Sequence, residues 1–119
     1  MTESIADMLT AQCKSILPFY LSEAETEDYP YAVFEYTPQT FRTKDGVYKI
    51  TADVYIRVYS NDGDEVEAKA AAIKSALDAF AEDATNNAGQ YIIVLQTSPE
   101  SCVEGVWQYE LQYFIKQTR

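Results

Sequence analysis

From Tyr48 to Ser60 the chain reads YKITADVYIRVYS and alternates with a period of two. Tyr48, Ile50, Ala52, Val54, Ile56 and Val58 fall on one side, and Lys49, Thr51, Asp53, Tyr55, Arg57 and Tyr59 on the other. Successive side chains of a strand point to opposite faces, so this pattern predicts a strand with one face in a core. Its watery face nevertheless carries two large aromatic rings, Tyr55 and Tyr59.

The same reading places the other elements. Ser4 is a suitable N-cap, Asp7 suits a first helical turn, and Ile5, Met8, Leu9, Ile16 and Leu17 recur at helical spacing up to Pro18, which predicts a helix over 4–17. In SEAETEDYP the acids Glu23, Glu25, Glu27 and Asp28 crowd together without an apolar anchor, the pattern of a surface loop. YPYAVFEY predicts a strand entered through Pro30, with Tyr31, Val33 and Glu35 facing one way and Ala32, Phe34 and Tyr36 the other. TPQTFRTKDG then leads to the turn signal Asp45-Gly46, predicting a hairpin with a long tip.

After SNDGDE the period lengthens to 3.6: Val66, Ala70, Ile73, Leu77 and Phe80 form one stripe, and Ala68, Ala71, Ala72 and Ala76 allow close approach to a sheet. Asp62 or Asp64 can cap this helix, Asp64, Glu65 and Glu67 favour its positive end, and NNAG ends it. QYIIVLQT is short, β-branched and almost continuously apolar, the pattern of a strand buried on both faces. In the last segment Trp107, Tyr109, Leu111, Tyr113 and Ile115 alternate with Gln108, Glu110, Gln112 and Lys116. The expected fold is α+β, in the order α-β-β-α-β-β. Two hairpins joined through a helix build one mainly antiparallel four-stranded sheet with both helices on one face.

Length and charge narrow the function classes. A chain of 119 residues is expected to form a single domain over 1–119. Nine basic against nineteen acidic residues give a net charge of -10, which repels phosphate backbones and anionic lipid. No apolar run reaches the length of a membrane span, and the first residues do not read as a secretion signal, so a cytoplasmic origin is expected. Cys13 and Cys102 form no CxxC pair and are read as reduced, Cys13 as core filler.

Catalytic patterns are absent. The sequence contains no His, which removes Ser-His and Cys-His nucleophile pairs and most metal-hydrolase patterns. The acidic loop lacks the glycine and terminal Glu of a calcium loop, and the run Asn61, Asp62 and Asp64 is better explained by helix capping. No phosphate-cradling glycine motif is present, so no enzyme, cofactor or metal is expected. The compositional outlier is tyrosine, ten in all. Tyr is a good strand former with a wet hydroxyl, and it is also enriched with Arg at protein interfaces.

Taken together, the segments resemble the small tail-completion proteins of long-tailed bacteriophages, the tail-terminator and head-to-tail joining proteins. The likeness spans nearly the whole chain: a short N-terminal helix, the strand Pro30-Tyr31-Ala32-Val33-Phe34, a long hairpin arm, VYIRVYS over Val54 to Ser60 running into AIKSALDAF over Ala72 to Phe80, and the closing strand WQYELQYFI. Such proteins often carry Arg in the closing strand, where this chain has mainly Gln, Glu and Tyr.

The resemblance implies a virion protein, prophage-encoded, that is assembled in the bacterial cytoplasm and resides at the tail or neck. It implies a homo-oligomer, a hexameric ring on the finished tube whose subunits can stay monomeric until they meet it, with tail-tube and head-connector proteins as partners. Neither sequence-specific nucleic acid nor membrane is among them, although a negatively charged bore would let DNA pass without sticking. On this reading Tyr55, Arg57 and Tyr59 form a subunit or tube contact, and the tip residues Thr40, Phe41, Arg42, Thr43, Lys44 and Asp45 reach a neighbour. Two other readings are compatible with the residues: a stand-alone α+β protein-binding adaptor, and a carboxylate-dependent enzyme or metal protein.

Overall fold

The computed structural model describes residues 4–21, 29–44, 46–83, 85, 91–97, 100–103 and 105–118. The acids Glu23, Glu25, Glu27 and Asp28, the turn residue Asp45 and the helix-ending segment 86–89 lie outside these residues.

The first helix, α1 (Ile5–Cys13), begins where Ser4 accepts the Asp7 N–H through its Oγ at 3.1 Å. Ile5, Met8, Leu9 and Cys13 are its buried face. It stops short of the expected Leu17 because the Ile16 N–H turns back to the Cys13 carbonyl at 3.0 Å, tightening the last turn into an exit. The chain then enters β1 (Phe19–Leu21), a three-residue strand with no period of its own. The remaining elements are β2 (Tyr31–Thr43), β3 (Gly46–Ser60), α2 (Gly63–Ala81), β4 (Tyr91–Thr97), β5 (Glu100–Val103) and β6 (Val106–Thr118).

The sheet has six strands rather than four, in the order β1-β2-β3-β6-β4, with β5 also pairing β6. It is mainly antiparallel, as expected; β1 and β2 form a parallel pair, Phe19 opposite Ala32. Two long hairpin strands dominate it. β2 continues through the polar stretch TPQTFRT that was expected to be a connection, and pairs with β3 from Tyr31–Tyr59 to Thr43–Gly46. Pro38 is tolerated within β2 because β1 pairs only as far as Phe34, leaving β2 without a described partner on its outer side there. Gly46 has φ +121°, a conformation that costs a residue with a side chain.

Both helices cover one face. Val66, Ala70, Ile73, Leu77 and Phe80 of α2 pack on Ala52, Val54, Ile56 and Val58 of β3 and on Leu111, Tyr113 and Ile115 of β6, in one cluster with the α1 residues. Cys13 is a free, buried thiol in that cluster, and burial raises its pKa to about 12. The passage from β3 to α2 is tightly fastened. Buried Ser60 donates its hydroxyl to Glu65 Oε1 at 2.8 Å and accepts the Asp62 N–H at 3.1 Å, while Asp62 caps the helix by accepting the Asp64 N–H at 2.9 Å. Gly63 lets the helix start lie on Trp107, whose ring stands 3.0 Å from where a Cβ would be.

A further expectation is overturned. YIIVLQT is not buried on both faces. Among the β4 residues whose burial is described only Tyr91 is buried, whereas Ile92, Val94 and Leu95 are 51%, 48% and 39% exposed. β4 lies at one edge of the sheet, beyond β6, and the exposure of Ile92 and Val94 shows that its apolar character marks a surface strip.

Candidate functional site

The face of the sheet away from the helices is set by the strand registers. Val33, Arg57 and Glu110 lie in one row across β2, β3 and β6; Tyr31, Tyr59 and Gln108 form the next, and Glu35, Tyr55 and Gln112 the one on the other side. Arg57 is therefore the middle of a nine-position lattice, with Tyr55 and Tyr59 two residues away on the same strand and same face.

The guanidinium is clamped from both neighbouring strands. Arg57 Nη1 lies 3.5 Å from Glu35 Oε1 and Nη2 lies 3.8 Å from Glu110 Oε1. With Arg57 28% exposed and Glu35 51% exposed, such pairs contribute little to stability, at most about 1 kcal/mol. Their effect is positional: a long flexible side chain is tethered to carboxylates on both neighbouring strands. Tyr59 is half-buried, its ring 5.2 Å from that of Tyr31, which is in turn stacked 5.7 Å from Tyr29. Burial raises the pKa of the Tyr59 hydroxyl, with Arg57 pulling the other way, so it remains a hydrogen-bond donor at neutral pH.

The structure thus brings Tyr55, Arg57 and Tyr59 together and adds four residues to them: Tyr29, Tyr31, Glu35 and Glu110. That Tyr31 and Glu35 share a face was visible in the sequence. Which of them sits beside Arg57 depends on cross-strand register, which alternation does not reveal.

The expected tip residues form a separate region. Thr40, Arg42 and Lys44 are exposed, Phe41 is half-buried beneath Lys49, whose Nζ lies 4.4 Å from the ring centre, and Thr43 pairs with Gly46. Gly46 is nine residues from Tyr55 along β3, about 30 Å. The end of the tip is therefore well separated along the hairpin from Tyr55, Arg57 and Tyr59. On the helix side, at the base of the hairpin, Ser4, Ile5, Tyr36, Pro38, Thr40, Ile50 and Gln117 line an open groove of about 240 Å³. That is smaller than the roughly 300–1,000 Å³ of most small-molecule sites.

Chemically, this face offers flat aromatic surface, phenol hydroxyls and a fixed cation flanked by carboxylates. Such groups are enriched at protein contact surfaces in general, where rigid rings supply area at low entropy cost and a pre-positioned Arg supplies directed hydrogen bonds. Among the described residues no cluster of His, Cys, Asp or Glu could hold a metal ion, and no helix is long and apolar enough to cross a membrane.

No protein-family model matches the sequence, and no curated protein matches it either. Solved structures do match. A chain described as belonging to the virion of a native gene transfer agent particle superposes with a TM-score of 0.63 at 16% identity, over 99% of this chain and 87% of that one. A second solved structure gives a TM-score of 0.54 at 11% identity, over 97% of this chain and 88% of that one. At these identities the likeness is one of fold, and it extends over nearly all of this chain and most of each of the other two.

Proposed function

We propose that this protein is a structural subunit of a phage-like virion, one that completes or terminates the tail tube and joins it to the head connector through protein contacts alone. The observation that carries the reading is the fold match to a chain of a gene transfer agent virion along 99% of the present sequence. The tyrosine-flanked Arg57 supports it, because a domain of this size that assembles must give much of its surface to its neighbours. No catalytic step is required of it. In this role Tyr55, Arg57 and Tyr59 contact another subunit or the tube, the hairpin tip reaches a neighbour, and the subunits close into a ring through two different patches.

Deletion of the gene from its source genome, followed by electron microscopy of the particles, tests the reading. The expected outcome is headless tails of irregular length, with the protein itself recovered at the neck of wild-type particles by antibody labelling. Intact particles from the deletion strain, or purified particles that lack the protein, would overturn it.

A further inference from the structure

The chain's charge is unevenly placed. Between Arg42 and Lys49 stand three cations, Arg42, Lys44 and Lys49, against the single acid Asp45, a local +2 on a chain of -10. Arg42 and Lys44 are exposed, at the end of the hairpin beyond Lys49, the last β3 residue that β6 reaches.

The outer side of α2 is the opposite. Asp64, Glu67, Ala71, Ser75, Asp78 and Glu82 are all exposed and recur every three or four residues, so they share one stripe facing away from the buried Val66–Phe80 side. The stripe holds four carboxylates and no cation over about 27 Å of helix. The two lysines of α2 are turned to the body instead: Lys69 Nζ donates to the Ile16 carbonyl at 3.1 Å, and Lys74 Nζ to the Tyr109 hydroxyl at 3.4 Å. Ala71 and Ser75 in the middle leave room for a second chain to approach the helix closely.

We infer that the cationic hairpin tip of one copy docks along the acidic outer stripe of α2 on a second copy. Two copies with a net charge of -10 repel each other in most orientations, and tip against stripe is an orientation in which opposite charges meet. The patches are different, so the contact is head-to-tail and leaves a free tip and a free stripe at either end, the arrangement that propagates until a ring closes. Duplex DNA is the disfavoured occupant of the tip, since the acidic body comes with it. This inference rests on the proposed assembly role and names the contact that would build it.

Sedimentation equilibrium of the full chain tests it at two ionic strengths: about 0.01 M, where charges act over about 30 Å, and about 1 M, where the range falls to about 3 Å. Wild type is expected to self-associate at the lower and not at the higher. Reversing the tip (Arg42→Glu, Lys44→Glu) or the stripe (Asp78→Lys, Glu82→Lys) is expected to weaken association by about tenfold or more, and combining both reversals to restore it. The positions are exposed, so melting temperatures should stay unchanged; the neutral pair Arg42→Gln, Lys44→Gln serves if a reversal unfolds the chain. A wild type that stays monomeric at low salt, a reversed tip that associates as tightly as wild type, a double reversal that fails to recover, or a tip that binds a duplex DNA probe more tightly than another copy each overturns the inference. If it falls while the deletion strain still makes defective tails, the assembly role stands and the subunit contact lies elsewhere.

Discussion

The two faces of β3 use the same strand for opposite purposes. On one, Ala52, Val54, Ile56 and Val58 are at most 2% exposed and touch both helices or their neighbours; on the other, Tyr55, Arg57 and Tyr59 remain half-buried with no helix above them. The first face is determined by area removed from water. The second is held by cross-strand pairs, Tyr31 with Tyr59 and Arg57 with Glu35 and Glu110, each worth a fraction of a kcal/mol to about 1 kcal/mol. A face kept ordered by such weak terms is suited to exchange neighbours without endangering the fold.

Mutations can separate these roles. Ile56→Ala removes a fully buried side chain and should cost about 3 kcal/mol in denaturant unfolding; a cost below about 1 kcal/mol would mean that the helix-covered face is not the core. Alkaline pH attacks the same face. The unfolded chain ionises Cys13 near its ordinary 9.0, whereas burial holds the folded thiol to about 12. Between those values the folded state binds the extra proton, so stability falls as pH rises through that window. Tyr113, whose pKa is also raised by burial and by Asp78, adds to the decline at its upper end. Cys13→Ala should make the decline shallower, and an unchanged slope in pH-dependent melting would remove Cys13 from the explanation.

On the open face the expected stability effects are smaller and the assembly effects larger. Tyr55→Ala with Tyr59→Ala should lower stability by about 1 kcal/mol while abolishing oligomer formation or incorporation into particles. The same oligomer at the same concentration would defeat the assignment of these rings to a contact. Arg57→Ala should cost less than about 1 kcal/mol, read by the same unfolding measurement. A markedly greater loss would show that the ion pairs belong to the core's energetics after all. Least of all, Val94→Lys at the exposed edge should leave the unfolding midpoint within about 0.5 kcal/mol.

How far the sequence discloses this architecture depends on the length of each pattern. The fifteen-residue β3 and the nineteen-residue α2 repeat their periods often enough to be legible, and the buried set of α2, Val66, Ala70, Ile73, Leu77 and Phe80, is the stripe read from the chain. The three residues of β1 and four of β5 repeat the two-residue period too few times to stand out, so pairing by tertiary context creates them. β4 misleads for another reason: a continuous apolar run states what the side chains prefer, while its place at the end of the strand order leaves Ile92 and Val94 in contact with water. At the site, the outward tyrosines and Arg57 were legible, but their carboxylate partners were not, because Glu35 and Glu110 lie 22 and 53 residues away along the chain and only register joins them.

The fastening of β3 to α2 through Ser60 has a mechanical consequence. β3 runs unbroken from Gly46 at the hairpin end to Ser60, along a molecule 52 Å in its longest dimension, and passes into α2 with only Asn61 and Asp62 between. There is no slack at that joint, since the Ser60 hydroxyl and the Asp62 cap bind strand end and helix start to each other. A sideways push on the part of β3 that β6 also pairs should therefore reach the start of α2 through these hydrogen bonds, while the register shift opposite Phe41 and Arg42 marks where the far end can give.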